Sequence, residues 1–413
     1  MLYSIAASGQ SISSSNTTPI VFVHGFLASG DTWSTQIQRF SSNGYAEDLL
    51  FVFDWNTIGG QAKKDSLLDA FINEVLQKTH SQKINLVGHS AGGGLCYGYL
   101  KDSTRAAKVA HYAHIGSSRI SKPAGFNGNV PTMNVYSEDD KVLAGVSVEG
   151  AVNIKETGND HLQVAAAPET FSALYEFFNE GKKPATTSIL PARSATLMIA
   201  GRAVTLGENK PLSNDTLYVY EYNPSLGKRL HPSKPRMLVT NAQGYWPAFE
   251  VAKQSFLEFE LHPKDGRIIS YYIEPSVRNN YHVYLRGLPN SGMAAQLLQS
   301  IPSRIDQATI AVFSANQAIV AGRDSVMIDD ISLSTPALAA ASKTIIASFL
   351  FDDGDGKSSG QPIKSIGLGV FLNAVDISIP ADANKTCRIY YNGRTIALPC
   401  RAGKEAVQVA IFN

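Results

Sequence analysis

Two hydrophobic patterns alternate along the first part of the chain. Short continuous apolar runs, which suit strands buried on both faces of a parallel sheet, occupy residues 19–26, 49–53, 84–87, 109–115, 132–136 and 150–154. Helices are predicted between or after these runs, over residues 32–40, 66–79, 91–101 and 171–179. Strands that alternate with helices predict an α/β domain with a mainly parallel sheet over residues 1–185, with helices on both faces of the sheet.

The pattern changes beyond residue 186, where helical periodicity nearly disappears. Short alternating runs, such as residues 217–222, 256–261 and 269–273, are separated by turn signals such as Asn223-Pro224. This spacing is typical of β-sandwiches. The sequence therefore predicts a C-terminal all-β region, which we divide into one module over residues 186–278 and a second over residues 279–413.

Length and charge narrow the class of protein. A chain of 413 residues is too long for one ordinary core, so two or three domains are expected. The 36 Lys and Arg residues balance 35 Asp and Glu residues without a strongly basic tract, which argues against nucleic acid as a partner. No transmembrane segment is predicted, because 18 uninterrupted apolar residues never occur together. Residues 1–8 lack the basic and apolar regions of an intact signal peptide.

The segment Gly88-His89-Ser90-Ala91-Gly92 carries the candidate chemistry. It joins the apolar run at residues 84–87 to the helix predicted from residue 91, and so forms a strand, a sharp turn and a helix with a serine at the apex. That arrangement is the nucleophile elbow of α/β-hydrolases, in which small neighbours let strand and helix pack closely. The context predicts that Ser90 is a catalytic nucleophile.

A serine nucleophile needs a histidine base and a carboxylate that orients the base, in the chain order serine, acid, histidine. The acid is sought among Glu138, Asp139 and Asp140, which follow the run at residues 132–136; Asp140 is preferred and Asp139 is the alternative. His161 is the predicted base, because it is the histidine that follows these acids at the right topological position. His24 and His89 are expected to support loop geometry instead.

Two backbone N–H groups are the predicted oxyanion donors. One belongs to Ala91, directly after the nucleophile, and the other to Phe26, in the loop after the first strand.

Neither metal nor cofactor is expected. The run Asp352-Asp353-Gly354-Asp355-Gly356 begins like a calcium loop but lacks the closing Glu, so a polar turn is predicted there. Cys387 and Cys400 flank a hairpin turn, and both a disulfide and two free thiols remain open.

These motifs resemble the α/β-hydrolase lipase/esterase family. The segments at residues 19–30, 87–94, 105–111, 168–187 and 223–230 look like an archaeal lipase family with a C-terminal β lipid-binding domain. That resemblance implies a carboxylic ester hydrolase whose β region helps it to hold or approach lipid, with an ester or lipid as its small-molecule substrate. Residues 199–245 also resemble a carboxypeptidase-regulatory-like sandwich, which is usually an accessory fold.

The sequence departs from the resembled family after the second strand. Residues 54–61 lead almost directly to the next helix, where the relative has a long insertion that forms a lid. Esters of short- to medium-chain acids are therefore expected as substrates at least as much as esters of long-chain acids. Trp33 and Trp55 are candidate substrate-binding residues in the acyl pocket, with simple core packing as the alternative. A thioesterase, an amidase, a polyester depolymerase and a non-catalytic binding protein remain alternatives, and a secreted or extracytoplasmic location is expected.

Overall fold

A computed structural model describes residues 17–59, 63–364 and 370–413. Packing divides the chain into two compact units, Met1–Pro191 and Ala192–Asn413. In the second unit, strands from both sides of residue 279 pair within shared sheets. The two β modules predicted at residues 186–278 and 279–413 are therefore not packed as separate units.

The first unit is built on a six-stranded sheet in which every described pairing is parallel, with strand order β2-β1-β3-β4-β5-β6. Its strands are β1 (Ile20–Val23), β2 (Leu50–Phe53), β3 (Ile84–His89), β4 (Val109–Ile115), β5 (Thr132–Ser137) and β6 (Val152–Glu156). Its helices are α1 (Ser34–Ser42), α2 (Lys64–Thr79), α3 (Ala91–Tyr99), α4 (Ser103–Ala106), α5 (Gln163–Ala166) and α6 (Pro168–Phe178). This is the predicted α/β fold.

Alternate side chains of the central strands enter two separate cores. Ile20 and Phe22 of β1 pack in one cluster, and Val21 and Val23 pack in the other, so both faces of the strand are buried. Burial on both faces explains why the strands read as continuous apolar runs instead of alternating ones. Because β3 lies inside the sheet and all strands run in parallel, the loops after β1, β3 and β5 meet at one edge.

The second unit is almost entirely β. A nine-stranded sheet has the order β10-β8-β12-β13-β22-β15-β18-β19, with β9 on β8, and smaller sheets have the orders β11-β7-β14 and β17-β16-β20-β21. Its strands are β7 (Thr196–Thr205), β8 (Thr216–Asn223), β9 (Lys228–Arg229), β10 (Arg236–Val239), β11 (Tyr245–Ala252), β12 (Phe256–His262), β13 (Ile269–Ile273), β14 (Asn280–Gly287), β15 (Ile310–Phe313), β16 (Val326–Ile328), β17 (Ile331–Ser332), β18 (Ala347–Phe351), β19 (Leu372–Asp376), β20 (Asp382–Tyr391), β21 (Arg394–Cys400) and β22 (Val407–Ile411). Two short helices interrupt them, α7 (Gly292–Leu298) and α8 (Pro336–Ala339).

The second unit mixes strands that are distant in sequence. β13 pairs in parallel with β22 near the C-terminus, and β7 pairs in parallel with β14. Parallel neighbours need long connections, so the pairing of these strands is not visible in any local pattern. No helix in the described part of either unit is long and apolar enough to cross a membrane.

Candidate active site

Ser90 lies at the turn between β3 and α3. Its backbone has φ 54° and ψ −125°, a positive-φ conformation that a residue with a side chain rarely adopts. Two bonds hold the turn: the Ser90 N–H donates to the Ile115 carbonyl at 3.0 Å, and the Ser117 hydroxyl donates to the Ser90 carbonyl at 2.6 Å. The strained turn of a nucleophile elbow is therefore present where the motif predicts it.

Glycines around Ser90 allow the backbones to approach one another. A Cβ on Gly92 would lie 2.4 Å from the His24 carbonyl oxygen, and one on Gly25 would lie 2.9 Å from the Ser90 Cβ. A side chain at Gly92 or Gly25 would have to displace the neighbouring backbone or Ser90. The loop after β1 consequently packs directly against the serine.

His161 lies between Ser90 and Asp140. Its Nε2 is 2.9 Å from the Ser90 Oγ, and its Nδ1 is 2.7 Å from the Asp140 Oδ2. A carboxylate only accepts, so we assign the Nδ1 proton to the bond with Asp140, which leaves Nε2 to accept from the serine hydroxyl. The structure therefore brings together three side chains that the sequence separates by 71 and 21 positions.

Asp140 is fixed by its own turn as well as by His161. Its Oδ1 accepts the N–H groups of Val142 at 2.8 Å and Leu143 at 2.9 Å. Burial by itself would raise the pKa of this carboxyl, but the hydrogen bond and charge of His161 and the two N–H groups outweigh burial and hold the pKa below its usual range. Asp140 therefore remains an anion beside the imidazole.

The other two acids in the cluster are directed elsewhere. Asp139 accepts the Gly158 N–H at 2.6 Å and has half of its side chain exposed, while Glu138 pairs with Lys155 at 2.5 Å on the surface. Of the three candidates at the end of β5, only Asp140 contacts the histidine in this structure.

The backbone around His161 is clamped on both sides. Asp160 Oδ1 accepts the N–H groups of Leu162 at 2.8 Å and Gln163 at 2.9 Å, while the Gln163 side chain accepts the Asp160 N–H at 3.0 Å. These reciprocal bonds form a capping box. A third contact comes from the elbow, where His89 Nε2 lies 2.7 Å from the His161 carbonyl oxygen.

The two predicted oxyanion donors are located near the serine. Ala91 begins α3, so its N–H belongs to the first turn, where backbone donors lack partners within the helix. Phe26 is partly exposed in the turn after β1, next to Gly25. Their role as oxyanion donors stays a prediction.

Trp33 and Trp55 have core positions. Trp33 is fully buried and packs on Phe22, with ring centroids 5.1 Å apart. Trp55 is 6% exposed, and its Nε1 donates to the His24 carbonyl at 3.0 Å. The two rings belong to the clusters on opposite faces of the sheet, and their role in substrate binding stays a prediction. Trp55 also braces the loop that begins at His24.

The connection after β2 is short. β2 ends at Phe53 and α2 begins at Lys64. The part of this connection that the structure describes, residues 54–59 and 63, contains no helix or strand.

Among the described residues, one group of acids in the second unit has an arrangement that could hold a metal ion. Carboxylate oxygens of Asp352, Asp353 and Asp376 lie within 4.8 Å of one another. Two of these groups are already bonded: Asp352 pairs with Arg304 at 2.6 Å, and Asp376 accepts from Ser359. Asp352 and Asp376 therefore have protein partners of their own.

Two lipase family models match this chain, one in each of the two units. Residues 17–106 match the family model described as Lipase (class 2), and residues 195–289 match that described as Lipase C-terminal domain. The first match contains Ser90 and ends before Asp140 and His161.

Similar solved structures include Aspergillus fumigatus lipase B (13% identity, 41% of this chain and 54% of that chain, TM-score 0.33) and a Paleococcus ferrophilus monoacylglycerol lipase (14%, 40% and 96%, TM-score 0.31). A third is a Bacillus licheniformis lipase (14% identity, 39% of this chain and 92% of that chain, TM-score 0.32). The two family matches, over residues 17–106 and 195–289, support a serine ester hydrolase of the lipase/esterase type with a lipase C-terminal domain.

Proposed function

We propose that the chain hydrolyses carboxylic esters through an acyl-enzyme formed on Ser90. The observation that carries the proposal is the continuous pair of hydrogen bonds from the Ser90 Oγ through His161 to Asp140, at 2.9 and 2.7 Å. A hydroxyl at neutral pH is a weak nucleophile, and a positioned base that takes its proton makes attack possible.

The proton can be followed through both halves of the reaction. As the Ser90 Oγ attacks the ester carbonyl, its proton passes to His161 Nε2, and Asp140 stabilises the imidazolium through Nδ1. The same proton is then donated to the departing alkoxide, which leaves an acyl-serine. Water loses a proton to Nε2, attacks the acyl group, and releases the acid as the proton returns to Ser90.

The oxyanion of each tetrahedral intermediate would be held by the N–H groups of Ala91 and Phe26. Support comes from Gly25, where a Cβ would lie 2.9 Å from the Ser90 Cβ, so this loop and the serine are in close contact. Loss of one such donor costs about 3 kcal/mol of transition-state stabilisation in other hydrolases.

For the substrate, we propose short- to medium-chain esters and no interfacial activation. The support is the ten-position connection 54–63 between β2 and α2, which is short for a lid. The second unit, which carries the lipase C-terminal domain match, would assist in holding lipid, and a secreted or extracytoplasmic enzyme would suit that role.

The decisive experiment compares wild-type protein with Ser90→Ala on p-nitrophenyl esters from two to sixteen carbons. Ser66→Ala, an exposed serine in α2, is the matched control. We expect hydrolysis and fluorophosphonate labelling to disappear only in Ser90→Ala. Equal rates in Ser90→Ala and wild type would end the proposal. Acyl-CoA and amide substrates run in parallel would expose a thioesterase or an amidase instead.

The lid proposal is tested with tributyrin across its solubility limit. An enzyme without a lid should follow a simple saturation curve through that limit. A sharp rise in rate once droplets form would show interfacial activation and contradict the proposal, without affecting the assignment of the nucleophile.

A further inference from the structure

The residue that precedes the nucleophile has a side chain that reaches the loop of the base. His89 Nε2 lies 2.7 Å from the carbonyl oxygen of His161, 72 positions along the chain. A carbonyl only accepts, so Nε2 must carry the proton in this contact. The two imidazole rings also pack together, with centroids 4.8 Å apart. One side chain of the elbow therefore contacts both the backbone and the ring of His161.

The carbonyl of His161 is not satisfied by the helix that follows. The N–H of Ala165, four residues on, donates to the Leu162 carbonyl at 3.0 Å, and the N–H of Val164 donates to the Asp160 carbonyl at 3.0 Å. His161 is only 2% exposed, and a buried carbonyl left without a donor is unfavourable. His89 supplies the donor that the helix does not.

The ring of His89 is held on several sides. Trp33 meets it edge-on at 6.4 Å, and Gly116, at φ 47°, leaves room where a Cβ would lie 3.5 Å from the His89 Cδ2. A Cβ on Gly25 would lie 3.3 Å from the His89 Nδ1. The contacts with Trp33 and His161 restrict the rotamer of His89 and hence the direction of its N–H, and the two glycines leave space for the ring.

Burial, aided by repulsion from His161, lowers the pKa of His89 to about 3. The ring therefore stays neutral over the range in which a serine hydrolase works. A neutral His89 keeps its single proton on Nε2. It also places no second positive charge beside the imidazolium that His161 would form during the reaction.

We propose that His89 is a positioning residue, which fixes the backbone of His161 so that its imidazole stays between Ser90 and Asp140. The inference rests on the proposed function of that triad. The dipeptide His89-Ser90 would then present the nucleophile and also anchor the base. A displacement of about 1 Å at a reacting group can lower a rate about 100-fold, so the effect of His89 should fall on kcat.

The test uses two pairs of variants. His89→Leu removes the donor with little change in volume, while His89→Gln keeps an amide N–H near the position of Nε2. His114 provides the matched control: it is equally buried, on the neighbouring strand, and its Nε2 lies 2.7 Å from the Ser118 carbonyl. His114→Leu and His114→Gln therefore break and restore the same kind of bond away from the triad.

We expect His89→Leu to lower kcat by about 10- to 100-fold, with KM within about threefold of wild type. The rate of fluorophosphonate inactivation should fall by the same factor, because it reports the reactivity of Ser90. His89→Gln should recover most of both rates. His114→Leu should lower the Tm and leave kcat per folded molecule unchanged.

Three results would overturn the proposal. They are a wild-type kcat in His89→Leu, a loss of kcat that His89→Gln does not restore, and an equal loss in His114→Leu. If His89→Leu fails to fold, His89→Asn replaces it, because the shorter amide of asparagine cannot reach the His161 carbonyl. Equal activity in His89→Asn and His89→Gln would then overturn the inference.

Ser90→Ala separates the role of His89 from the proposed function. Hydrolysis by Ser90→Ala refutes the proposed function, whereas an inactive Ser90→Ala beside a fully active His89→Leu refutes only the role of His89.

Discussion

The Nδ1 atom of His161 lies 2.7 Å from Oδ2 of Asp140, with only 3% and 0% of the two side chains exposed. A hydrogen bond to an ionised acceptor is stronger than a neutral one, and exclusion of water strengthens it further. The carboxylate is held by two backbone N–H groups on its other oxygen, so it cannot turn away from the ring. This geometry selects one tautomer of His161 and leaves Nε2 directed at Ser90.

Replacement of Asp140 should therefore act on the rate and not on substrate binding. We expect Asp140→Asn to lower kcat by about 10³- to 10⁴-fold, because an amide can donate to Nδ1 and stabilise the wrong tautomer. Asp139→Asn is the neighbouring control; its amide oxygen can still accept the Gly158 N–H on the surface, so kcat should change by less than about threefold. Steady-state kinetics on a p-nitrophenyl ester decides the matter. A larger loss of kcat in Asp139→Asn than in Asp140→Asn would show that Asp139 is the acid that orients His161.

The positions of Ser90 and of the acidic cluster could be predicted because each follows a strand whose apolar run is clear in the sequence, and His161 could be predicted from its place after those acids. Asp140 is preferred among three adjacent acids, but Asp139 stays open as the alternative, because the choice depends on which carboxylate accepts the Val142 and Leu143 N–H groups. The partner of His89 lies 72 positions away, beyond any local pattern. The division near residue 279 failed as a packing boundary because β13 pairs with β22, a pairing set by the tertiary fold.

Glu156, at the end of β6, should have a raised pKa in the folded protein. Thr170 Oγ1 lies 2.6 Å from both the Val164 carbonyl and the Glu156 Oε1. A hydroxyl has one proton, and the carbonyl only accepts. The Thr170 hydroxyl can therefore donate to only one of these two acceptors at a time, unless Glu156 is protonated and donates to Thr170 in turn. Burial raises the pKa of Glu156 and outweighs the hydrogen bonds from Thr170 and Asn159 to the carboxylate, which lower it.

A raised pKa gives a stabilisation that is complete below the unfolded value, about 4.3, and is lost as pH rises through the folded value. Glu156→Gln keeps a donor for Thr170 and an acceptor for Asn159, but it cannot ionise. We expect its Tm to equal that of wild type near pH 4 and to exceed it increasingly toward pH 8. Calorimetry across that range, with exposed Glu74→Gln as control, tests this; a constant difference in Tm at all pH values would contradict it.

The three cysteines should react as buried free thiols. Cys96, Cys387 and Cys400 are all buried free thiols; burial raises the pKa of Cys96 well above its usual range, whereas the hydrogen bond with Cys387 lowers the pKa of Cys400. Thiolate is the reactive form, so Ellman's reagent should modify the native protein slowly and titrate three thiols after unfolding without reductant. A titration of one thiol under those conditions would show instead that Cys387 and Cys400 are joined, which would favour an oxidising compartment.

Two glycines of α3 should respond to alanine in opposite directions. A Cβ on Gly92 would lie 2.4 Å from the His24 carbonyl oxygen and 2.6 Å from that of Val23, whereas a Cβ on Gly98 meets no atom within 4 Å. Gly92→Ala must push β1 and its loop away from the elbow, so we expect a loss of about 3 kcal/mol of stability together with a loss of activity. Gly98→Ala should stabilise the protein by about 1 kcal/mol, or about 2–4 °C in Tm, because alanine restricts the unfolded chain and favours the helix. Thermal unfolding and esterase assays on the two variants test this account, and a Gly92→Ala variant as stable and active as Gly98→Ala would refute the close approach of helix and strand.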